Sequence, residues 1–168
     1  MKQNAKYWLL LFALIAITSC SNPMYGRIAK AIKQQEFTVT PHPLKRTGNE
    51  VTFTMSVTVA QSLLPFSSMA DTEYIFDVMY VPGDVTKFVE RMRLEGEIQV
   101  GSFSFKGKDY LDSKKTPTQT KTMRFDYQEK YQKGYLVYYL FVHKSHLNKR
   151  VGPYLVTSNG KAVTGIIE

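Results

Sequence analysis

The chain has 168 residues and a formal net charge of +8, and 43% of its residues are hydrophobic, 13% aromatic and 21% charged. This length fits one domain, or one domain plus a targeting segment, and the composition is too apolar and too rich in rings for a disordered chain. A single cysteine excludes an internal disulfide and any zinc site built on two or more thiolates.

The first 20 residues have the anatomy of a signal peptide. Lys2 and Lys6 precede an unbroken apolar run from Trp8 to Ile17, which is long enough for a signal peptide but well short of the roughly 20 residues that span a bilayer. The run ends in Ile17-Thr18-Ser19-Cys20, which resembles the lipobox of bacterial lipoproteins. The resemblance implies cleavage before Cys20 and acyl chains such as palmitate on the new terminus.

This resemblance also implies a location in the cell envelope. Two or three acyl chains suffice for stable anchoring, so the protein is expected to be tethered to the membrane rather than to span it. Ser21, in place of an aspartate, favours the outer membrane, and the absence of acidic residues in Ser21–Arg27 favours its periplasmic face. In such a place the basic excess indicates anionic lipid, lipopolysaccharide, peptidoglycan or an acidic partner, and not nucleic acid.

Three segments are expected: a signal peptide at 1–19, the lipidated Cys20 with a tether at 20–35, and a β-sandwich domain at 36–168. Residues 21–35 place apolar and basic residues at helical spacing, so they form either a simple tether or a short helix with its basic face on lipid headgroups. From Phe37 the hydrophobic period becomes two, and Phe37–Thr40 is predicted to be a strand that ends at Pro41 and Pro43.

Residues 50–59 give the clearest strand, because apolar and hydroxyl side chains alternate along them. Residues 61–70 are predicted to be a crossover loop, and 72–81 a strand that ends in the turn Pro82-Gly83-Asp84. Residues 85–95 fit a helix or a strand, and we favour a strand because the alternation continues beyond Gly96.

The second half of the chain is also strand-rich. Residues 106–121 lack periodicity and include Lys114 and Lys115, so they form either a mobile surface loop or a docking site. Strands follow at 123–127 and at 135–142, and the second has apolar residues on both faces, so it is either central in its sheet or covered by a partner. Asn159-Gly160 predicts a hairpin. The fold class is therefore all-β, an antiparallel β-sandwich of about seven to nine strands.

From Phe37 onward the order of the blocks FTVTPHPL, GNEVTFTMSVTV, FDVMYVPGDVTKFVERMRLEGE and YLVTSNGKAVTG resembles the β domain of Bacteroidota envelope lipoproteins. Some members of that group continue into tetratricopeptide repeats, and a role carried by repeats is not expected to transfer to a chain that ends at Glu168. Small β-sandwich lipoproteins also serve as outer-membrane anchors in secretion machines, and this likeness is one of architecture alone.

The sequence contains no recognisable catalytic or metal-binding constellation. It lacks a nucleophile elbow and a glycine-rich phosphate loop, and its three histidines are His42, His143 and His146. His42 is expected in a loop, and the other two would point to opposite faces of a strand. The acidic pairs Asp71/Glu73 and Glu95/Glu97 are expected to be solvated. No enzyme activity, metal or cofactor is therefore expected, apart from the covalent lipid.

Residues 125–139 hold five tyrosines among lysines. Such a cluster suits a protein interface, a surface for stacking sugars, or a sheet core with its hydroxyls at the rim. As an interface it would use the basic loop as well, and the candidate contact residues are Tyr127, Lys130, Tyr131, Lys133, Tyr135, Tyr138, Lys114 and Lys115. The expected function is a non-enzymatic outer-membrane lipoprotein that binds another envelope protein as an anchor or accessory subunit, and the alternative is a glycan- or lipopolysaccharide-binding module.

Overall fold

The computed structural model describes residues 35–59, 71–90, 94–108, 117–144 and 147–168, which belong to one compact unit. These residues form ten strands. The strands are β1 (Glu36–Thr47), β2 (Glu50–Thr58), β3 (Glu73–Pro82), β4 (Ile98–Lys106), β5 (Thr118–Asp126), β6 (Gly134–Lys144), β7 (Leu147–Leu155), β8 (Thr157–Ser158), β9 (Lys161–Ala162) and β10 (Ile166–Ile167). Among them no helix is long and apolar enough to cross a membrane.

The strands form two sheets that pack face to face as a sandwich, which confirms the predicted all-β class. The first sheet has the order β5-β2-β1-β8-β9, with β10 beside β1, and the second has the order β4-β3-β6-β7. Long neighbours pair antiparallel, whereas β8 and β10 each pair with β1 in parallel. The predicted antiparallel sandwich is thus present, with two short parallel contacts added at β1.

Alternating side chains build the core between the sheets. Along β2 the apolar residues Val51 to Val57 are at most 1% exposed, while the hydroxyl residues between them face outward. Phe37 of the first sheet packs on Tyr138 of the second at 4.7 Å between ring centroids, and Phe125 stacks on Tyr80 at 5.0 Å. Interleaved rings from both inner faces therefore hold the sandwich together.

Strand β1 continues past its prolines, contrary to the prediction. Pairing with β2 jumps from Thr40–Thr54 to Lys45–Thr52, so four residues of β1 oppose one of β2. The bulge accommodates the two prolines, which cannot donate to a ladder. Leu44, the last residue of the bulge, is fully buried and donates its backbone N–H to Gly165 O at 3.3 Å. The second half of β1 thus gains a partner from the end of the chain.

The strand predicted at 85–95 is wrong for the part of this segment that the structure describes. Val85–Lys87 is a single 3₁₀ turn, capped by the Asp84 carboxylate, which accepts from the backbone N–H and the hydroxyl of Thr86 at 2.8 Å each. The apolar residues of this connection, Val85, Phe88 and Leu94, pack against the outer face of the second sheet. They are apolar because they cover a sheet, and not because they belong to one.

This cover explains why β6 is apolar on both faces. β6 lies between β3 and β7, which confirms the central position that was one of two predicted alternatives. Its inner-facing residues enter the sandwich core, and its outer-facing Tyr135 and Val137 are buried under the β3–β4 connection. The Asn159-Gly160 turn is also confirmed, since both residues have positive φ and join β8 to β9.

Side chains close one edge of the sandwich, where β5 of the first sheet meets β4 of the second. Gln119 Nε2 donates to Ser104 O at 2.5 Å, and Lys121 Nζ donates to Ser102 O at 2.7 Å. These carbonyls belong to the edge strand β4, whose unpaired groups would otherwise be open to another strand. Two polar side chains from β5 therefore satisfy carbonyls of β4, which has no strand partner on this side among the described residues.

We expect Gly134→Ala to destabilise the fold by about 1–3 kcal/mol. A Cβ at Gly134 would lie 2.5 Å from the buried ring of Tyr80, which packing holds in place. The matched variant is Gly101→Ala, whose Cβ would meet the flexible Met123 side chain at 2.9 Å and should cost less. Urea unfolding of both variants tests this expectation, and equal losses of stability would contradict it.

We also expect the double variant Gln119→Thr, Lys121→Thr to self-associate with rising concentration. Threonine keeps the strand propensity but leaves the β4 carbonyls without their donors, so the edge can pair with a second chain. Light scattering during size-exclusion chromatography measures the mass, with Arg124→Thr on the same strand as control. A double variant that elutes as a monomer at every concentration would disprove this role of the two side chains.

Candidate functional site

Three tyrosines predicted to contact a partner lie in the core instead. Tyr131, Tyr135 and Tyr138 are 2%, 4% and 3% exposed. Tyr138 packs between Phe37 and Tyr154, and Tyr131 packs edge-on against Tyr80. Their role as surface contacts is therefore wrong in this fold, because a sheet buried on both faces uses the rings for packing.

The other described candidates, Tyr127, Lys130 and Lys133, lie at the surface on the connection between β5 and β6. They surround the end of the sandwich at which the β1–β2 turn lies, since Tyr127 N donates to Asn49 O at 2.7 Å. We name this the hairpin end. Lys114, Lys115, Cys20 and the predicted 61–70 loop lie outside the described residues.

Cations lie over the rings of the hairpin end. The guanidinium of Arg46 stands 3.8 Å from the centroid of Tyr127, and Lys130 Nζ lies 5.0 Å from that of Tyr131. Arg46 also donates to Gly48 O and pairs with Glu168 at 3.8 Å. The ring and the lysine are evident from the sequence but Arg46 is not, because β1 comes near Tyr127 only in the folded sheet, in which β2 lies between β1 and β5.

A cavity of about 300 Å³ opens at the same end. It forms where three segments meet: the start of the β3–β4 connection, the end of the β5–β6 connection and the residues before β10. Its lining residues are Gly83, Asp84, Val85, Gln132, Lys133, Gly134, Thr164 and Gly165. Lys133 is the one residue of the cavity that was a sequence candidate.

Opposite charges line this cavity. Hydrogen bonds from Thr86 hold the pKa of the Asp84 carboxyl below its ordinary value, and the nearby positive charges of Lys87 and Lys133 lower it further. Asp84 is therefore ionised at neutral pH beside the Lys133 ammonium. The lining residues include Asp84 and Lys133, which carry opposite charges, and the polar residues Gln132 and Thr164.

A second polar cluster lies on the outer face of the second sheet. Tyr139 donates its hydroxyl to Glu97 at 2.9 Å, and Arg150 lies 3.6 Å over the Tyr139 ring and 3.9 Å from Glu97. Asp77 accepts from Gln99 at 3.3 Å, and burial raises its pKa although Arg150 opposes that shift. Glu97, expected to be solvated, is thus tied into the sheet surface.

The described histidines do not converge on a site. His42 is exposed in the β1 bulge, and His143 Nδ1 shares a hydrogen bond with Asn148 Oδ1 at 2.7 Å. His146 lies outside the described residues, so its expected orientation stays a prediction. Within the part of the chain that the structure describes, no three histidine, cysteine or acidic residues come together as a metal site.

Comparison with known proteins adds no assignment: no protein-family model matches the chain, and neither does any curated protein. The geometry therefore defines an antiparallel-rich β-sandwich with a charged cavity and cation-covered rings at its hairpin end.

The buried tyrosines predict how stability depends on pH. Burial raises the pKa of Tyr74 to about 12, and burial with the Glu97 hydrogen bond raises that of Tyr139 to about 12, from an ordinary value of 10.0. The folded state then keeps protons that the unfolded state loses, so the stabilisation is complete below pH 10 and falls as pH rises from 10 to 12.

Urea unfolding at a series of alkaline pH values measures this fall. Tyr74→Phe and Tyr139→Phe should each reduce the loss of stability with rising pH, because each variant removes one titrating hydroxyl. Thr120→Ala, which removes a hydroxyl that does not titrate from the outward face of β5, is the control. An unchanged slope in both test variants would show that these hydroxyls do not carry the effect.

Proposed function

We propose that this chain is a non-enzymatic outer-membrane lipoprotein, anchored through Cys20 and facing the periplasm, whose β-sandwich binds another envelope protein as an anchor or accessory subunit. The lipobox-like residues before Cys20 support the proposed location at the outer membrane. The observation that carries the binding role is the half-exposed Tyr127 with the exposed Lys130 and Lys133 at the hairpin end, beside Arg46.

The position of this surface suits a tethered protein. Chain connectivity brings the segment after Cys20 into β1 at Glu36, whereas the hairpin end lies where β1 ends at Thr47. The nine residues of β2 alone cover about 30 Å between the two ends. A sandwich tethered by its first strand thus carries its exposed tyrosine and lysines at the far end of that strand, where a partner has access.

The chemistry of this surface suits a protein partner. Tyrosine and arginine are the side chains most enriched in protein interfaces, and lysines at the rim favour a partner with acidic groups. A glycan partner has less support, because a sugar stacks on a free ring face. Arg46 covers one face of Tyr127, and Arg150 covers one face of Tyr139.

Crosslinking in living cells tests this proposal. The full chain with a carboxy-terminal tag on a flexible linker is expressed in a Bacteroidota host, crosslinked, purified in detergent and examined by mass spectrometry. We expect one stoichiometric envelope protein, whose recovery is lost in Cys20→Ala because the chain no longer reaches its membrane.

Two variants at the surface make the test specific. Tyr127→Ala combined with Lys130→Glu should lower the recovery at least about tenfold, since interface tyrosines often contribute more than 1 kcal/mol. Thr120→Ala, on the outward hydroxyl face of the first sheet, is the matched control and should recover the partner normally. Recovery of lipid or glycan alone, or equal loss in the control, would overturn the proposal.

A further inference from the structure

The cavity at the hairpin end contains three glycines, which at first suggests an anion cradle built from backbone N–H groups. Two of those donors are already engaged inside the protein. Gly83 N donates to Lys133 O at 2.8 Å, and Gly165 N donates to Gly134 O at 2.9 Å. These bonds hold the three segments together, so these two N–H groups are not free to bind a ligand, and the polar side chains of the lining residues are considered next.

The glycines also explain why the cavity is open. Gly83 and Gly165 have φ values of +120° and +75°, and a Cβ built on either would meet no atom within 4 Å. The lack of side chains at these positions leaves the walls open. At Gly134 a side chain is excluded on the opposite side, where the Tyr80 ring lies.

The charges then select the class of ligand. A simple anion at Lys133 would be repelled by Asp84, and a simple cation at Asp84 would be repelled by Lys133. A ligand with an ammonium and a carboxylate a few bonds apart gains both attractions. The uncharged Gln132 amide and Thr164 hydroxyl suit the peptide groups of such a ligand, and about 300 Å³ is at the small end of ligand-binding cavities.

We infer that this cavity binds a small zwitterionic peptide, such as a dipeptide or the end of a short peptide, with Asp84 receiving its ammonium group and Lys133 its carboxylate. This role goes beyond the proposed anchoring function and does not depend on it.

Isothermal titration calorimetry of the full chain in detergent tests the inference, with alanyl-alanine as probe. N-acetyl-alanyl-alanine lacks the ammonium, and alanyl-alanine amide lacks the carboxylate. We expect the unblocked dipeptide to bind about tenfold more tightly than either blocked form, as one lost charged contact predicts. Equal binding of all three, or no binding at about 10 mM dipeptide, would overturn the inference.

Variants assign each charge to its residue. Asp84→Asn should weaken binding of the dipeptide about tenfold but leave that of its N-acetyl form unchanged, since that form has no ammonium to lose. Lys133→Met should do the same toward the amide form. Arg124→Met, an exposed cation on β5 outside the cavity, is the control and should bind normally. If a variant lost the same affinity for the dipeptide and for both blocked forms, that result would contradict the assignment.

Folding does not confound this test. Asparagine can still accept from Thr86, so the 3₁₀ turn should persist, and circular dichroism verifies it. The ligand series on the unaltered chain decides the matter without any variant. A final arm compares the dipeptide with a peptidoglycan stem peptide released from its sugar, which has a free amino terminus: tighter binding of the latter identifies the cell wall as the source, and equal binding identifies free peptides.

Discussion

Strand β6 carries apolar side chains on both of its faces, and each face has to be covered by something. The first sheet covers one of them, where Tyr138 meets Phe37. On the other face, the β3–β4 connection places Phe88 edge-on against Tyr135, with ring centroids 5.8 Å apart. The second sheet thus lies between two apolar layers around its central strands. The connection for which the sequence favours a strand is therefore a third layer of the packing.

Long cationic side chains cover a sheet edge and several aromatic rings. Lys121 points inward from an edge strand, donates to a β4 carbonyl and lies 5.5 Å from the Phe103 ring. Arg46 and Arg150 lie over tyrosines of neighbouring segments. In each case an apolar stem or a planar head covers a ring while the charge meets an oxygen. Part of the basic excess therefore serves the fold, and only the remainder is available to a partner.

The sequence predicted features that depend on neighbours along the chain. The alternation in β2 and the Asn159-Gly160 hairpin are local, so they were correct. The continuation of β1 past Pro43 was missed, because its new partner β10 lies more than 100 residues away. The tyrosine run was ambiguous for the same reason: composition shows that rings are present, but only the sheet order shows that Tyr135 and Tyr138 are covered on opposite faces of one strand.

In the candidate cavity, backbone atoms and side chains have different roles. Its frame consists of backbone hydrogen bonds among three segments that are distant in sequence, and of its glycines only Gly83 was predicted, as a turn residue. Its chemistry comes from Asp84 and Lys133, whose charged ends contribute none of those frame bonds. The backbone hydrogen bonds and the charged groups involve different atoms. Substituting Asp84 or Lys133 should therefore change which ligands are preferred while the sandwich stays intact.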